Sequence, residues 1–138
     1  MSSDLLNAMS ISASGMRTQG TRMRVISENV ANASTTGDTP GADPYRRQTI
    51  TFKNELDRQA GFRRVEIDEV GEDMETPFDL RYDPSHPAAD DEGYVKYPNM
   101  NLLIETMDIR EAQRSYEANL GMINQSREIL QRTIDLLR

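Results

Sequence analysis

The sequence predicts a mainly α fold, with long N- and C-terminal helices pairing as a coiled coil and a small β-containing acidic insert between them. Three observations lead there. Apolar and small side chains at both ends recur at helical spacings of three and four. All six prolines and five of the eight glycines fall between residues 34 and 100. Acidic charge gathers in that same middle: Glu55 to Gly93 holds 13 acids and four bases, a net of −9, in a chain of net charge −7. The expected division is 1–36, an N-terminal coiled-coil helix; 37–100, an irregular and β insert; and 101–138, a C-terminal coiled-coil helix.

In the first helix, Leu5, Met9, Ser12, Met16, Gln19, Met23, Ile26, Val30 and Ala33 follow one another by fours and threes, a heptad seam. Ser2, Ser3 or Asp4 can cap its start. The apolar members are mostly Met and Ala, and Gly15 and Gly20 lie inside the helix, each costing about 1 kcal/mol relative to Ala. Such a helix is weak alone but lets a neighbour come close. The insert follows, with three short alternating stretches: Arg46–Phe52, Phe62–Val70 and Phe78–Tyr82. Gly61, Gly71, Pro77 and Asp83-Pro84 punctuate them. Three such strands make at most a small sheet that needs something to pack against. In the last helix Asn101 is the expected N-cap and Glu105 lies in the first turn. Ile109, Ala112, Tyr116, Leu120, Ile123, Leu130, Ile134 and Leu137 form a stripe, which Met122, Ile129 and Leu136 widen beyond a two-position seam.

Composition narrows the function classes. Of 138 residues 36% are hydrophobic and 6% aromatic, with no Trp. The chain is long enough to bury a sizeable core but has few large side chains to fill one, so either part of it is unpacked when alone or its packing partner is another molecule. The negative net charge disfavours a duplex nucleic-acid reader or an anionic membrane surface as partner. The longest apolar run, Leu102-Leu103-Ile104, is far short of the ~20 residues of a membrane span. The first residues, Met1-Ser2-Ser3-Asp4, show neither the basic nor the apolar region of a cleaved secretory signal. Without cysteine there are no disulfides, Cys-based zinc sites or thiol nucleophiles.

Local patterns that suggest chemistry lack its essentials. Gly15-Met16-Arg17-Thr18-Gln19-Gly20-Thr21 has phosphate-loop glycine spacing but no Lys, and it sits inside a helix pattern rather than after a strand. His86, the only histidine, can form neither a triad nor a paired-His metal site and reads as a polar loop residue. Asp90-Asp91-Glu92 lacks the alternating ligands and central Gly of a calcium loop and reads as a solvated acidic turn. Asn32-Ala33-Ser34 and Asn124-Gln125-Ser126 fit a glycosylation pattern but abut or lie within helices. No catalytic, cofactor-binding or metal-binding residue is therefore assigned, and no enzyme is expected.

The residues around the end of the first helix carry more. Asn29, Ala31, Asn32, Thr35 and Gly37 fit an Asn-x-Ala-Asn-x-x-Thr stretch followed by Gly, with the next aromatic, Tyr45, delayed by Asp38–Pro44. Ala112, Arg114, Tyr116, Ala118 and Asn119 form an Ala-x-Arg-x-Tyr-x-Ala-Asn pattern near the other end. Together these resemble the paired terminal signatures of bacterial flagellar rod and hook proteins. Pro44-Tyr45-Arg46-Arg47, Tyr82–Ala88, Gly93-Tyr94-Val95 and Tyr97–Asn101 look like the proximal-rod branch of that family. The resemblance implies a structural subunit of the flagellar basal-body rod that assembles helically with other axial proteins to transmit torque. It implies a periplasmic location, and delivery by the flagellar type III export apparatus without a cleaved signal peptide. The implied partners are further copies, other subunits of the proximal and distal rod, and the protein joining the rod to the export gate. The resemblance also implies that the two helices pair as the axial coiled coil, with the two motifs as its assembly residues. The competing reading is a small acidic helical adaptor or export chaperone, which has no need of paired signatures at opposite ends.

Overall fold

A computed structural model of the chain describes residues 2–58 and 61–136. Its elements follow in the order α1 (Ser2–Ala31), β1 (Gln48–Asp57), β2 (Phe62–Glu72), β3 (Asp79–Tyr82), β4 (Tyr94–Tyr97) and α2 (Leu102–Leu136). The mainly α expectation is corrected here. The helices have 30 and 35 residues, but β1 and β2 run to 10 and 11, and the four strands form two separate two-stranded sheets, β1-β2 and β3-β4. The fold is mixed α and β. The first expected strand ends short because apolar alternation gives out after Phe52, whereas β1 continues on charge to Asp57; the second ends at Val70, two residues before β2 does. Lys53 Nζ reaches Asp68 Oδ1 at 3.7 Å across the hairpin, and Arg64 pairs with Asp57. Opposite charges facing one another across a ladder stabilise it without a buried face. β4 was not expected as a strand at all.

The described residues form two compact units. One takes residues up to 23, 50–69 and those from 109 on; the other takes 24–49 and 70–108. In the first, α1 and α2 run antiparallel: Gly15 lies against Asn119, and Arg22 Nη2 lies 3.7 Å from Glu111 Oε2. The side chains of α1 that are buried there are Ser12, Ser14 and Thr18, not the Met9, Met16 and Met23 seam, which is half-buried. Ser12 belongs to the predicted stripe, whereas Ser14 and Thr18 lie beside it, on the side of α1 that faces β2. Their hydroxyls bond back to the helix, Ser14 Oγ to Ile11 O at 2.7 Å and Thr18 Oγ1 to Ser14 O at 2.9 Å. Thr18 Oγ1 also reaches Val65 O at 3.3 Å, tying the hairpin to α1. On α2, Ile109, Ala112, Tyr116, Asn119, Ile123, Ser126 and Leu130 line the inner face by fours and threes, with Ala112 fully buried. Leu120, Met122, Ile129, Ile134 and Leu136 stay exposed, and Leu137 lies outside the described residues.

In the second unit the β3-β4 ladder is antiparallel, pairing Asp79 with Tyr97, Leu80 with Lys96, Arg81 with Val95 and Tyr82 with Tyr94. Val95 turns inward and is fully buried, and Val25, Ile26 and Ala88 are the other buried apolar side chains of this unit among the described residues. The loop between the strands is closed by short polar turns. Asp83 Oδ1 accepts from Ser85 Oγ at 2.6 Å, and Asp90 Oδ1 accepts from the backbone N–H of Glu92 and of Tyr94, both at 2.9 Å. His86 takes a loop role, its Nδ1 accepting from Ala88 N–H at 3.1 Å. Gly93 is required where it stands: its φ is 85°, and a Cβ there would lie 2.9 Å from the Tyr82 ring.

Candidate assembly site at the helix–insert junction

Where α1 ends, its polar side chains take over from the helical ladder. A helix leaves its last carbonyls without intrahelical donors, and side-chain amides can satisfy them. Asn32 does so: its backbone N–H and its Nδ2 both donate to Glu28 O, at 3.0 and 2.9 Å. Its Oδ1 accepts from Thr35 Oγ1 at 3.1 Å, and its carbonyl accepts from Thr35 N–H at 3.0 Å. Thr35 O then accepts from Tyr45 N–H at 3.1 Å. Gly37 permits the fold-back between them, since a Cβ there would lie 2.6 Å from the Ala42 Cβ.

Asn29 faces the other way and is 1% exposed. Its amide docks onto the first residue of β1 as a neighbouring strand would: Nδ2 donates to Gln48 O at 2.9 Å, and Oδ1 accepts from Gln48 N–H at 2.8 Å. The remaining proton and lone pair are also used, by Glu105 Oε2 at 3.4 Å and Tyr45 Oη at 3.0 Å. Four partners fill the four positions of a carboxamide and leave it no freedom to flip. Asn29, Asn32, Thr35 and Tyr45 thus form one hydrogen-bonded circuit.

Glu105, in the first turn of α2, is also 1% exposed, and a buried carboxylate must be paired. Arg47 Nε donates to its Oε1 at 2.5 Å. Arg46, one residue earlier, turns elsewhere: Nη1 donates to Asp73 O at 3.3 Å, and the guanidinium lies 4.3 Å over the Phe78 ring. The junction therefore joins the last turn of α1, the start of β1 and the first turn of α2. Burial, followed by the nearby negative charges of Glu28, Glu72 and Glu105, pushes the Tyr45 hydroxyl above its ordinary value. A phenol held neutral is the form that donates to Asn29. Asp73 is held below the usual carboxylate range by the Thr76 hydroxyl and by backbone N–H groups of Thr76 and Glu75. Sequence reasoning missed Glu105 and Arg47 as members of this site. The available signal was an acid seven residues before Ala112, at a core position of the α2 heptad.

Two family models match the chain at its two ends. Residues 9–37 fit the flagella basal body rod protein model, and residues 91–136 fit the flagellar basal body rod FlgEFG protein C-terminal model. The flagellar basal-body rod protein FlgC of Agrobacterium fabrum is 55% identical over 136 residues, covering 98% of this chain and 97% of that protein. FlgC of Aquifex aeolicus is 38% identical, covering 96% of each chain, and that of Bacillus subtilis 34%, covering 94% and 96%.

The chain belongs to the FlgC family of flagellar basal-body rod proteins. It is a structural protein of the rod and not an enzyme. Among the described residues, no helix is long and apolar enough to cross a membrane and no cluster of three His, Asp or Glu is placed for a metal.

The remaining motif positions divide between two faces of the helices of this FlgC-family chain. Ala112 is fully buried, and Tyr116 and Asn119 are half-buried on the same inner stripe. Asn119 Nδ2 donates to Ser115 O at 2.9 Å, which holds its amide against Gly15. Arg114 and Ala118 are exposed, as is Ala31 on α1. The C-terminal motif is thus brought against α1 by only three of its five members.

Proposed function

We propose that the chain is a subunit of the proximal part of the flagellar rod, in which both helices continue their packing against helices of neighbouring subunits and so carry torque. One observation carries this reading. Inside the chain Gly15 of α1 lies against Asn119 of α2 and the fully buried residue of the inner α2 stripe is Ala112, while large apolar side chains stand outward: Leu6 is 56% exposed, Leu103 69% and Met107 62%. Small residues set a close pair, and the outward stripe is apolar surface available to other helices. On this reading residues 1–36 and 101–138 are the axial coiled-coil domain and 37–100 the insert, and the two motifs carry assembly.

The partners under this proposal are other copies, other proximal and distal rod subunits and the protein at the export-gate junction. Delivery is by the flagellar type III export apparatus, without a cleaved signal, to the periplasmic rod. The contacts are heterologous and need not close, which is how a helical shaft is built. The test is co-purification of a tagged chain with detergent-extracted basal bodies, followed by mild acid dissociation. Recovery in the rod fraction at the mass of the uncleaved chain is the expected result. Detection only as a soluble cytoplasmic protein overturns the proposal.

A further inference from the structure

Two exposed faces of this chain are complementary in charge and chemistry. The first is the outward side of the β3-β4 ladder. Cross-strand partners share a face, so Leu80 and Lys96 lie beside Tyr82 and Tyr94, opposite the side that buries Val95. Leu80 is 59% exposed, Tyr82 68% and Tyr94 40%. The two tyrosine rings are set edge to face with centroids 5.4 Å apart, and Gly93 packed against Tyr82 holds them in place. Asp91 and Glu92, in the turn just before β4, are exposed at the border of this face. The second face is on α2, where Arg110 and Arg114 lie one turn apart, both exposed. Neither carries an ion pair or hydrogen bond among the described residues. Elsewhere in the chain arginines settle on aromatic rings: Arg46 over Phe78 at 4.3 Å and Arg81 over Tyr97 at 4.6 Å.

We infer that successive copies of this chain bind head to tail, with Arg110 and Arg114 of one copy on the Leu80–Tyr82–Tyr94 face of the next. One guanidinium covers an exposed tyrosine ring and the other meets Asp91 and Glu92, so both the apolar and the charged components are satisfied. The two faces are different surfaces, so the contact is heterologous and propagates instead of closing into a dimer. This inference rests on the rod-subunit reading.

The absence of native cysteine makes a crosslinking test clean. Cells express Tyr82→Cys and Arg114→Cys, singly, mixed and as the double variant, and are oxidised with copper phenanthroline before basal bodies are isolated. The expected result is a band at twice the chain mass in the mixture and a ladder of multiples in the double variant, with neither single variant crosslinking. Variants that co-purify with basal bodies yet give no band, or a crosslink from position 114 to a protein of another mass, overturn the contact while leaving the rod reading intact. Absence of every variant and of the unmodified chain from basal bodies overturns the rod reading itself. A second arm reverses charges: Arg110→Glu with Arg114→Glu, or Asp91→Arg with Glu92→Arg, should shrink the swimming halo at least twofold. Combining all four should restore it, and failure of that rescue overturns the pairing.

Discussion

Asn29 occupies a position where a helix side chain has to behave like backbone. Gln48 opens β1 beside the end of α1 with no strand on that side, and the carboxamide supplies the donor and acceptor a strand would. Replacing it with Leu removes four hydrogen bonds and leaves the half-buried Gln48 and the buried Glu105 partly unsatisfied. Asn29→Leu should lower unfolding stability by about 2–4 kcal/mol, measured by urea titration of the purified chain. Tyr45 gives a pH signature. A group whose folded pKa is raised contributes stability that is complete below its unfolded value of 10.0 and is lost as pH rises through the raised one. The chain should therefore weaken as pH rises above about 10, and Tyr45→Phe, at a cost near 1 kcal/mol at neutral pH, should flatten that loss. An unchanged alkaline slope in Tyr45→Phe would remove Tyr45 as its source. The circuit through Asn29, Asn32, Thr35 and Tyr45 is built from residues that the sequence singles out by resemblance. Glu105 escaped notice because a lone acid in a first helical turn has an ordinary explanation, the helix dipole.

At the scale of elements, the two helices were legible to within a few residues, since apolar periodicity and caps both pointed the same way. The inward stripe of α2 was legible through Ile109, Ala112, Tyr116, Ile123 and Leu130, and that of α1 only in part. Periodicity ranks positions by hydrophobicity, and outside the predicted seam α1 also buries Ser14 and Thr18, where smallness and self-satisfied hydroxyls matter more. The hairpin was under-read for a related reason: its outer half is held by cross-strand charge, which leaves no alternation to detect. Two glycines of α1 separate these effects. A Cβ on Gly20 meets nothing within 4 Å, whereas one on Gly15 lies 2.9 Å from Asn119 Nδ2. Gly20→Ala should stabilise the isolated chain by about 0.5–1 kcal/mol through the usual helix preference. Gly15→Ala should forfeit that gain, because the Asn119 amide must give up Ser115 to make room. Thermal melts of the two variants side by side decide it, and equal gains would mean that the helices do not meet there.

For the molecule as a whole, the described buried apolar residues are Val25, Ile26, Ala88, Val95 and Ala112, three of them valine or isoleucine and none aromatic. That is a thin interior for 138 residues, and it agrees with the shortage of large side chains read from composition. Much of the chain's apolar surface is therefore open to partners. At low micromolar concentration the isolated protein should show less helix by circular dichroism than α1 and α2 contain, with ellipticity rising as concentration increases. A fully helical, cooperatively melting monomer at the lowest concentration would show that the interior suffices alone. The junction adds a constraint on the order of events. Asn29 and Glu105 are 76 positions apart in the chain, and Arg47 and Glu105 are 58 apart. Contacts of such span close late, because the intervening loop must lose its entropy before they form. Until Glu105 is in place, the Arg47 guanidinium lacks its carboxylate hydrogen bond and Asn29 Nδ2 one of its two acceptors, so the last turn of α1 and the start of β1 are held only by their local contacts. The first turn of α2 closes the latch, and the junction thereby couples the end of the first helix to the start of the second across the insert.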